Sequence, residues 1–436
     1  MLIYSHTVTP RLQYVAAFLS QYYGTPFLVT TDWQYFQQAD KAKLNYSDTN
    51  TDTHTLWIQP VGLLFETGVK KQSVSCFVHT RGYKAFFAAA GVIGFDLFAA
   101  IFYLLSRYEE YGPHQKDIYG RYAHENSLAF QNNFLHLPLI NIWLEDFRSI
   151  LQQQFQISNL KSQSFQFLPT YDIDIAWSYR NKGLLRNTGG TVKSIVNGQW
   201  SMVKERVRVL AEKEQDPYDC YEWLDSLHQQ YNLQPLYFFH VGQKRTQYDK
   251  NIATDNKAFQ QLVQQHAQQY AIGLHPSWHS GDEPDYLQKE KGTLEAIAHR
   301  TITISRQHYI RFTLPQTFRR LLDAGITEDH SMGYGSINGF RASLATAFYW
   351  YDLEKETQTK LLLHPFCFMD ANAFFEQGLS VEAAFDELMH YYQVVKRSAG
   401  TLITIWHNQF LGTDPMFNGW RELYQRFVKT VVQGVS

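Results

Sequence analysis

The chain has 436 residues, of which 44% are hydrophobic and 18% charged, long and apolar enough to fold as two domains. A formal net charge of −2 with no basic tail argues against nucleic acid or an anionic membrane as the main partner. Three scattered cysteines, Cys76, Cys220 and Cys367, give no sign of a disulfide framework, lack zinc-site spacing and suit a reducing compartment.

The opening stretch "MLIYSHTVTPRLQYVAAFL" lacks the basic region, long apolar run and small-residue cleavage site of a secretory leader, so a cytoplasmic location is expected. Helical periodicity runs through "TPRLQYVAAFLSQYYG" and stops at Gly24, a C-cap residue. "HTLWIQPVGLLFE" and "SVSCFVHT" read as strands. Residues 85–106 form the most apolar stretch, but Asp96 near its centre would cost a spanning helix about 3 kcal/mol, and Gly91 and Gly94 interrupt it. Asp96 reads instead as the N-cap of a buried helix over "LFAAIFYLLSRYEEY", and no membrane span is expected. Residues 1–160 are thus expected to form a smaller mixed α/β domain of unknown function.

From residue 165 to 436 short apolar runs alternate with helical segments. The runs are "FQFLPTYDID", "LQPLYFFHVG", "YAIGLHPSWH", "TITISRQHYIRF", "SMGYGSINGFRAS", "KLLLHPFCFMD" and "TLITIWHNQ". Helices are expected over "YDCYEWLDSLHQQYN", opened by Asp216-Pro217, and over "AFQQLVQQHAQQY", "TFRRLLDAG", "VEAAFDELMHYYQVVKRSAG" and "GWRELYQRFVKTVVQ". Strands alternating with helices imply a parallel sheet or barrel, whose active site gathers at the C-terminal strand ends. Nearly every run stops at an ionisable group: Asp172 and Asp174, His240, His275, Arg306 and His308, Arg341, Asp370, His407.

Two of these ends carry chemistry. Asp172 and Asp174, at i and i+2 on a strand, point to the same side, where two carboxylates repel unless a proton, a cation or a metal intervenes. His275 and His279 are one helical turn apart, and Pro276 suits the first position of a short helix that would put both imidazoles on one face. Two imidazoles and a carboxylate leave a fourth position open, the arrangement of catalytic zinc.

The order "TYDID", "HPSWH", "FRAS", "WHN" resembles the polysaccharide deacetylase superfamily with its NodB homology domain. That resemblance implies a distorted (β/α)7 barrel over residues 165–436 and a hydrolase of N- or O-acetyl groups that uses a divalent metal, commonly Zn2+. It implies Asp172 as catalytic base, Asp174, His275 and His279 as metal ligands, Arg341 as the residue orienting the base, and His407 as general acid. Pro276 stands where the family has Ser or Thr, Ser343 stands where a proline is common, and "CFMD" occupies the place of the Trp-bearing fourth motif, leaving open whether Asp370 orients His407. "SRQHY" lies outside the family pattern and makes His308 an alternative ligand or a substrate contact. Residues 1–160 resemble an uncharacterised extra domain carried by some bacterial members. The implied partner is an acetylated sugar or oligosaccharide. Hydrolysis of another small amide or cyclic C–N bond, and non-catalytic carbohydrate binding, are the alternatives; oligomeric state is not specified.

Overall fold

The chain begins in the middle of a small parallel sheet. Strand β1 (Leu2–Tyr4) lies between β2 (Leu28–Thr30) and β3 (Lys43–Asn45), with β4 (Leu56–Trp57) beyond β3. Helix α1 (Pro10–Tyr23) follows β1, capped by the Thr9 side chain and ended by Gly24 at φ 63°. Helix α2 (Trp33–Gln38) follows β2. A small hairpin, β5 (Phe77–Val78) and β6 (Lys84–Ala85), leads to α3 (Leu97–Leu105), α4 (Leu128–Gln131) and α5 (Leu139–Phe155). Asp96 caps α3 as expected, its carboxylate accepting from the Ala99 and Val61 amides and the Tyr46 hydroxyl. This computed structural model describes residues 1–50, 55–157, 160–161 and 163–434. Among these, no helix is long and apolar enough to cross a membrane.

The second part is one nine-stranded sheet. Its strands are β7 (Gln166–Ile173), β8 (Leu236–His240), β9 (Ala271–His275), β10 (Ile304–Ser305), β11 (Glu328–Asp329), β12 (Phe348–Asp352), β13 (Thr357–Leu363), β14 (Phe368–Met369) and β15 (Thr401–His407). They pair in the order β12-β13-β11-β10-β9-β8-β7-β15-β14, parallel throughout except for β12 at one edge. Helices α6 (Leu184–Val196), α7 (Trp200–Leu210), α8 (Tyr221–Tyr231), α9 (Lys257–Gln269), α10 (Pro284–Ala298) and α11 (Gln316–Asp323) connect the first five strands and lead on toward β11. Helix α12 (Val381–Arg397) connects β14 to β15, and α13 (Asn408–Leu411) and α14 (Trp420–Gln433) close the chain.

The expected distorted barrel is realised as a curled ladder. On a flat sheet β10 and β7, three places apart, would be about 14 Å from each other, beyond the reach of one side chain. Yet Arg306, just past β10, donates to Thr170 and Asp172 on β7 at 2.8 Å each. Strand ends therefore converge on one mouth.

Three expectations fail. "SMGYGSINGFRAS" forms no strand: β11 ends at Asp329 and residues 330–347 run irregularly. Asp216 does not open a helix; its carboxylate accepts the amides of Ser178, Tyr179, Arg180 and Tyr218, and α8 starts only at Tyr221. In "HTLWIQPVGLLFE" only Leu56–Trp57 is strand, and Leu63–Phe65 is a 3-10 turn; its first residue, His54, lies outside the described residues.

The two parts share one buried apolar cluster running from Ile3 to Val431. Polar ties cross the same junction. Arg11 grips Glu356 through two bonds of 2.9 and 2.5 Å, the Tyr14 hydroxyl donates to the Tyr349 carbonyl at 2.7 Å, and the Ala345 amide donates to Asn141.

Candidate active site

Strand β7 delivers Asp172 as its penultimate residue and leaves Asp174 just beyond its end. Asp172 is buried, and its Oδ1 accepts from Arg306 Nη1 at 2.8 Å. The guanidinium lies 4.2 Å over the Phe238 ring. Burial pulls the Arg306 pKa down, and the Asp172 charge works against that.

Asp174 is the hub. Its Oδ1 lies 3.1 Å from His275 Nε2; its Oδ2 lies 3.3 Å from His308 Nε2 and 3.6 Å from His407 Nε2. Burial would raise its pKa, but the neighbouring His308 and His275 hold it well below the usual carboxylate range. Each histidine is oriented through its other nitrogen. His275 Nδ1 donates to the Arg306 carbonyl at 2.6 Å, and His308 Nδ1 meets Asp249 Oδ1 at 3.2 Å. Asp249 is itself fixed by the Trp278 amide and the Thr246 hydroxyl. Against the cost of burial, Asp174 and Asp249 raise the His308 pKa to about 9.

His407 ends β15 beside Asp172 in the ladder. Its Nδ1 bonds Asp370 Oδ1 at 2.6 Å, while Asp370 Oδ2 accepts the His407 amide at 2.7 Å. That carboxylate, with Asp174 and Asp172, outweighs burial and raises the His407 pKa to about 10.

Two positions named from the sequence lie elsewhere. No helical turn begins at Pro276: the chain after β9 is irregular until a 3-10 turn at His279–Gly281, so the imidazoles of His275 and His279 do not share a face. His279 is partly exposed, 3.9 Å from Glu283 and near the Tyr286 ring. At this rim, the atoms that lie within 4.8 Å of one another and could hold an ion with Asp174 come from His275 and His308. Arg341 does not meet Asp172 either. Its guanidinium grips Glu110 at 2.8 and 2.6 Å, in a buried network with Arg107, and the residue that holds Asp172 is Arg306. The irregular path of 330–347 is the reason, since it carries Arg341 to the junction rather than to a strand end.

The donor set fits a divalent ion. Asp174 Oδ1 is buried without a hydrogen bond, and both Nε2 atoms face Asp174 with their Nδ1 atoms already engaged. A carboxylate with two imidazoles oriented by a carbonyl and a carboxylate matches the ligands and supporting shell of such sites. A further group shares His308 with His240 and Asp249, where Asp249 serves His308. A third group among the described residues, Glu328, His330 and His364, fits poorly: the two rings stack at 4.2 Å and 2°, so their in-plane lone pairs run parallel rather than meeting.

The site opens into a cavity of about 290 Å³ lined by Asp172, Asp174, His275, His308 and His407. Two lining residues, Tyr119 and Arg121, come from the N-terminal part, where the sequence showed nothing catalytic. Arg121 donates to the Tyr309 carbonyl at 2.8 Å, and Tyr119 packs on Tyr309, Tyr248 and Trp278. Trp278 itself stacks on Tyr248 at 3.9 Å.

The class this defines is an α/β protein with a buried centre of two carboxylates and three histidines at the C-terminal rim of its parallel strands. Residues 1–156 match a family of unknown function, DUF7033. No curated protein matches. Among solved structures, the chain is similar to a putative polysaccharide deacetylase from Mycobacterium smegmatis, with 13% identity and a TM-score of 0.40 over 63% of this chain and 86% of that one. A probable polysaccharide deacetylase from Pseudomonas aeruginosa PAO1 shows 11% identity and a TM-score of 0.38 over 61% and 84%. A mutant of a CE4 family pseudoenzyme with restored enzymatic activity shows 8% and 0.32 over 63% and 64%.

Proposed function

We propose that this protein is a metal-dependent hydrolase that removes N- or O-acetyl groups from a sugar or oligosaccharide. The observation that carries this reading is the convergence of Asp174, His275 and His308 on one point, with Asp172 3.7 Å from His275 and His407 3.6 Å from Asp174. Asp174, His275 and His308 would hold a divalent ion, with Zn2+ suited to the N/O donor set. Such an ion, when bound, lowers the pKa of water toward about 7 and polarises an acyl carbonyl.

The chain's own groups divide the proton transfers. Asp172, kept turned by Arg306, accepts the proton of the attacking water. His407, with Asp370 bound to Nδ1, presents its Nε2–H to the leaving amine or alcohol. Tyr119 and Arg121 close one side of the cavity and set how the sugar enters. The same wall gives a second reading some support: a bounded cavity of about 290 Å³ also suits a small amide or cyclic ureide.

Elemental analysis with an acetate-release assay tests the proposal. Purified protein is expected to carry about one equivalent of metal per chain, lost in Asp174→Ala and His308→Ala but kept in His279→Ala. Unchanged metal in Asp174→Ala and His308→Ala would end the metal reading. Ammonia or amine release from small amides, without acetate from any sugar, would favour the second.

A further inference from the structure

Helices α6 and α7 are built inside out. The residues α6 buries are Asn187 and Ser194, and α7 buries Arg206 and Val209. Asn187 donates to the Tyr179 and Gly183 carbonyls, while Arg206 lies over the Tyr179 ring and donates to Thr191 of α6. These polar contacts fasten the pair to the body. What faces away is apolar: Leu184 and Leu185 are 80% and 89% exposed, Val196 is 78% exposed, and Val192, Ile195, Trp200, Val207 and Leu210 are exposed too.

The exposed residues have helical spacing. In α6, Leu185, Val192 and Val196 recur at i, i+7 and i+11; in α7, Trp200, Val207 and Leu210 recur at i, i+7 and i+10. A soluble helix points such a stripe at the core, so an outward one marks a surface that meets something apolar.

Charge says what that partner is. From Arg180 to Lys213 the chain carries eight basic and two acidic side chains, a local +6 within a molecule of net −2. Lys193 of α6 and Lys204 of α7 are exposed beside the apolar stripes, as is Arg208, which is bridged to Glu214 at 2.6 Å. Apolar stripes flanked by Lys and Arg, with a tryptophan among them, are the makeup of helices that lie in a bilayer interface. We infer that the α6–α7 hairpin docks this protein onto the surface of an anionic lipid bilayer, apolar stripes at acyl depth and basic side chains among the headgroups. The hairpin grows from the end of β7 just after Asp174, and Arg186 of α6 donates to the carbonyls of Lys250 and Asn251 beside Asp249. Docking there would bring the rim that holds the cavity close to the membrane. The inference does not depend on the chemistry of that cavity.

Vesicle co-sedimentation of the full chain tests it, with phosphatidylcholine vesicles set against phosphatidylcholine mixed with phosphatidylglycerol. Binding is expected to the mixed vesicles only, and to weaken as salt rises. Leu185→Ser combined with Val196→Ser should weaken it tenfold or more, at roughly 25 cal/mol per Å² of apolar area withdrawn. Lys193→Ala with Lys204→Ala should weaken it about thirtyfold. All four positions are exposed, so far-ultraviolet circular dichroism should be unchanged. No binding to mixed vesicles, or binding that these variants leave intact, would overturn the inference. A dimer in sedimentation velocity that the serine variants dissociate, with no vesicle binding, would assign the face to a second copy instead.

Discussion

At residue scale the informative contrast is between His279 and His308. Spacing favoured His279, because two histidines four apart fit a helical turn, but the chain after Pro276 is not helical and His308 approaches from β10 instead. Asp172, Asp174, His275 and His407 were legible because each ends or follows a long apolar strand. Asp249 was not legible, since it sits in a loop with no periodicity to mark it. The two arginines separate cleanly by experiment. Arg306→Ala should cut kcat of the acetate-releasing reaction by about 100-fold or more while metal content stays, since the guanidinium's hold on Asp172 is lost, with its bonds to Thr170 and the His330 carbonyl, but the 306 carbonyl that orients His275 is kept. Arg341→Ala should leave the buried Glu110 with Arg107 as its one remaining guanidinium partner and destabilise the fold by about 3 kcal/mol; chemical denaturation measures it, and a variant of wild-type stability would contradict it. Asp370→Asn should lower kcat with KM little changed, and Asp370→Glu should restore part of it.

At the scale of elements, caps were the most readable feature. Asp96 was placed as the start of α3 from its position before an apolar run, and it caps that helix. Burial raises its pKa to about 6 even though it accepts from the Ala99 and Val61 amides and the Tyr46 hydroxyl. Its folded value exceeds the unfolded one, so its stabilising contribution is complete below about pH 4 and is lost as pH rises through about 6. Between pH 5 and 7.5 the wild type should therefore lose about 1.4 kcal/mol relative to Asp96→Asn. Urea denaturation at both pH values checks this, and a constant difference would show that Asp96 titrates normally. The α6–α7 hairpin escaped the reading for a different reason. A whole-chain net charge of −2 averages away a local +6, and apolar periodicity alone does not tell an inward face from an outward one.

At the scale of the molecule, composition suggested two domains and the pattern shifts near residue 165; a four-stranded sheet precedes that point and a nine-stranded sheet follows it. What no local pattern could disclose is that one apolar cluster spans both and that Tyr119 and Arg121 reach the cavity. Contacts between residues more than a hundred positions apart leave no periodic trace. A shared core predicts one cooperative transition in calorimetry of the whole chain. Removing residues 1–160 should leave a barrel that fails to fold, because α1 and α3 cover β12 and β13; a soluble, cooperatively melting fragment would refute that.

The meeting of Arg121 with Gly335 carries this further. A β-carbon at 335 would lie only 2.7 Å from the Tyr309 carbonyl and would collide with the Arg121 guanidinium. The wall of the cavity thus has a keyhole cut in the one half to receive a bolt from the other. This barrel is consequently no interchangeable cassette: grafted beneath a foreign cap, it would carry a breach beside its reactive groups, and the two halves can diversify only in step.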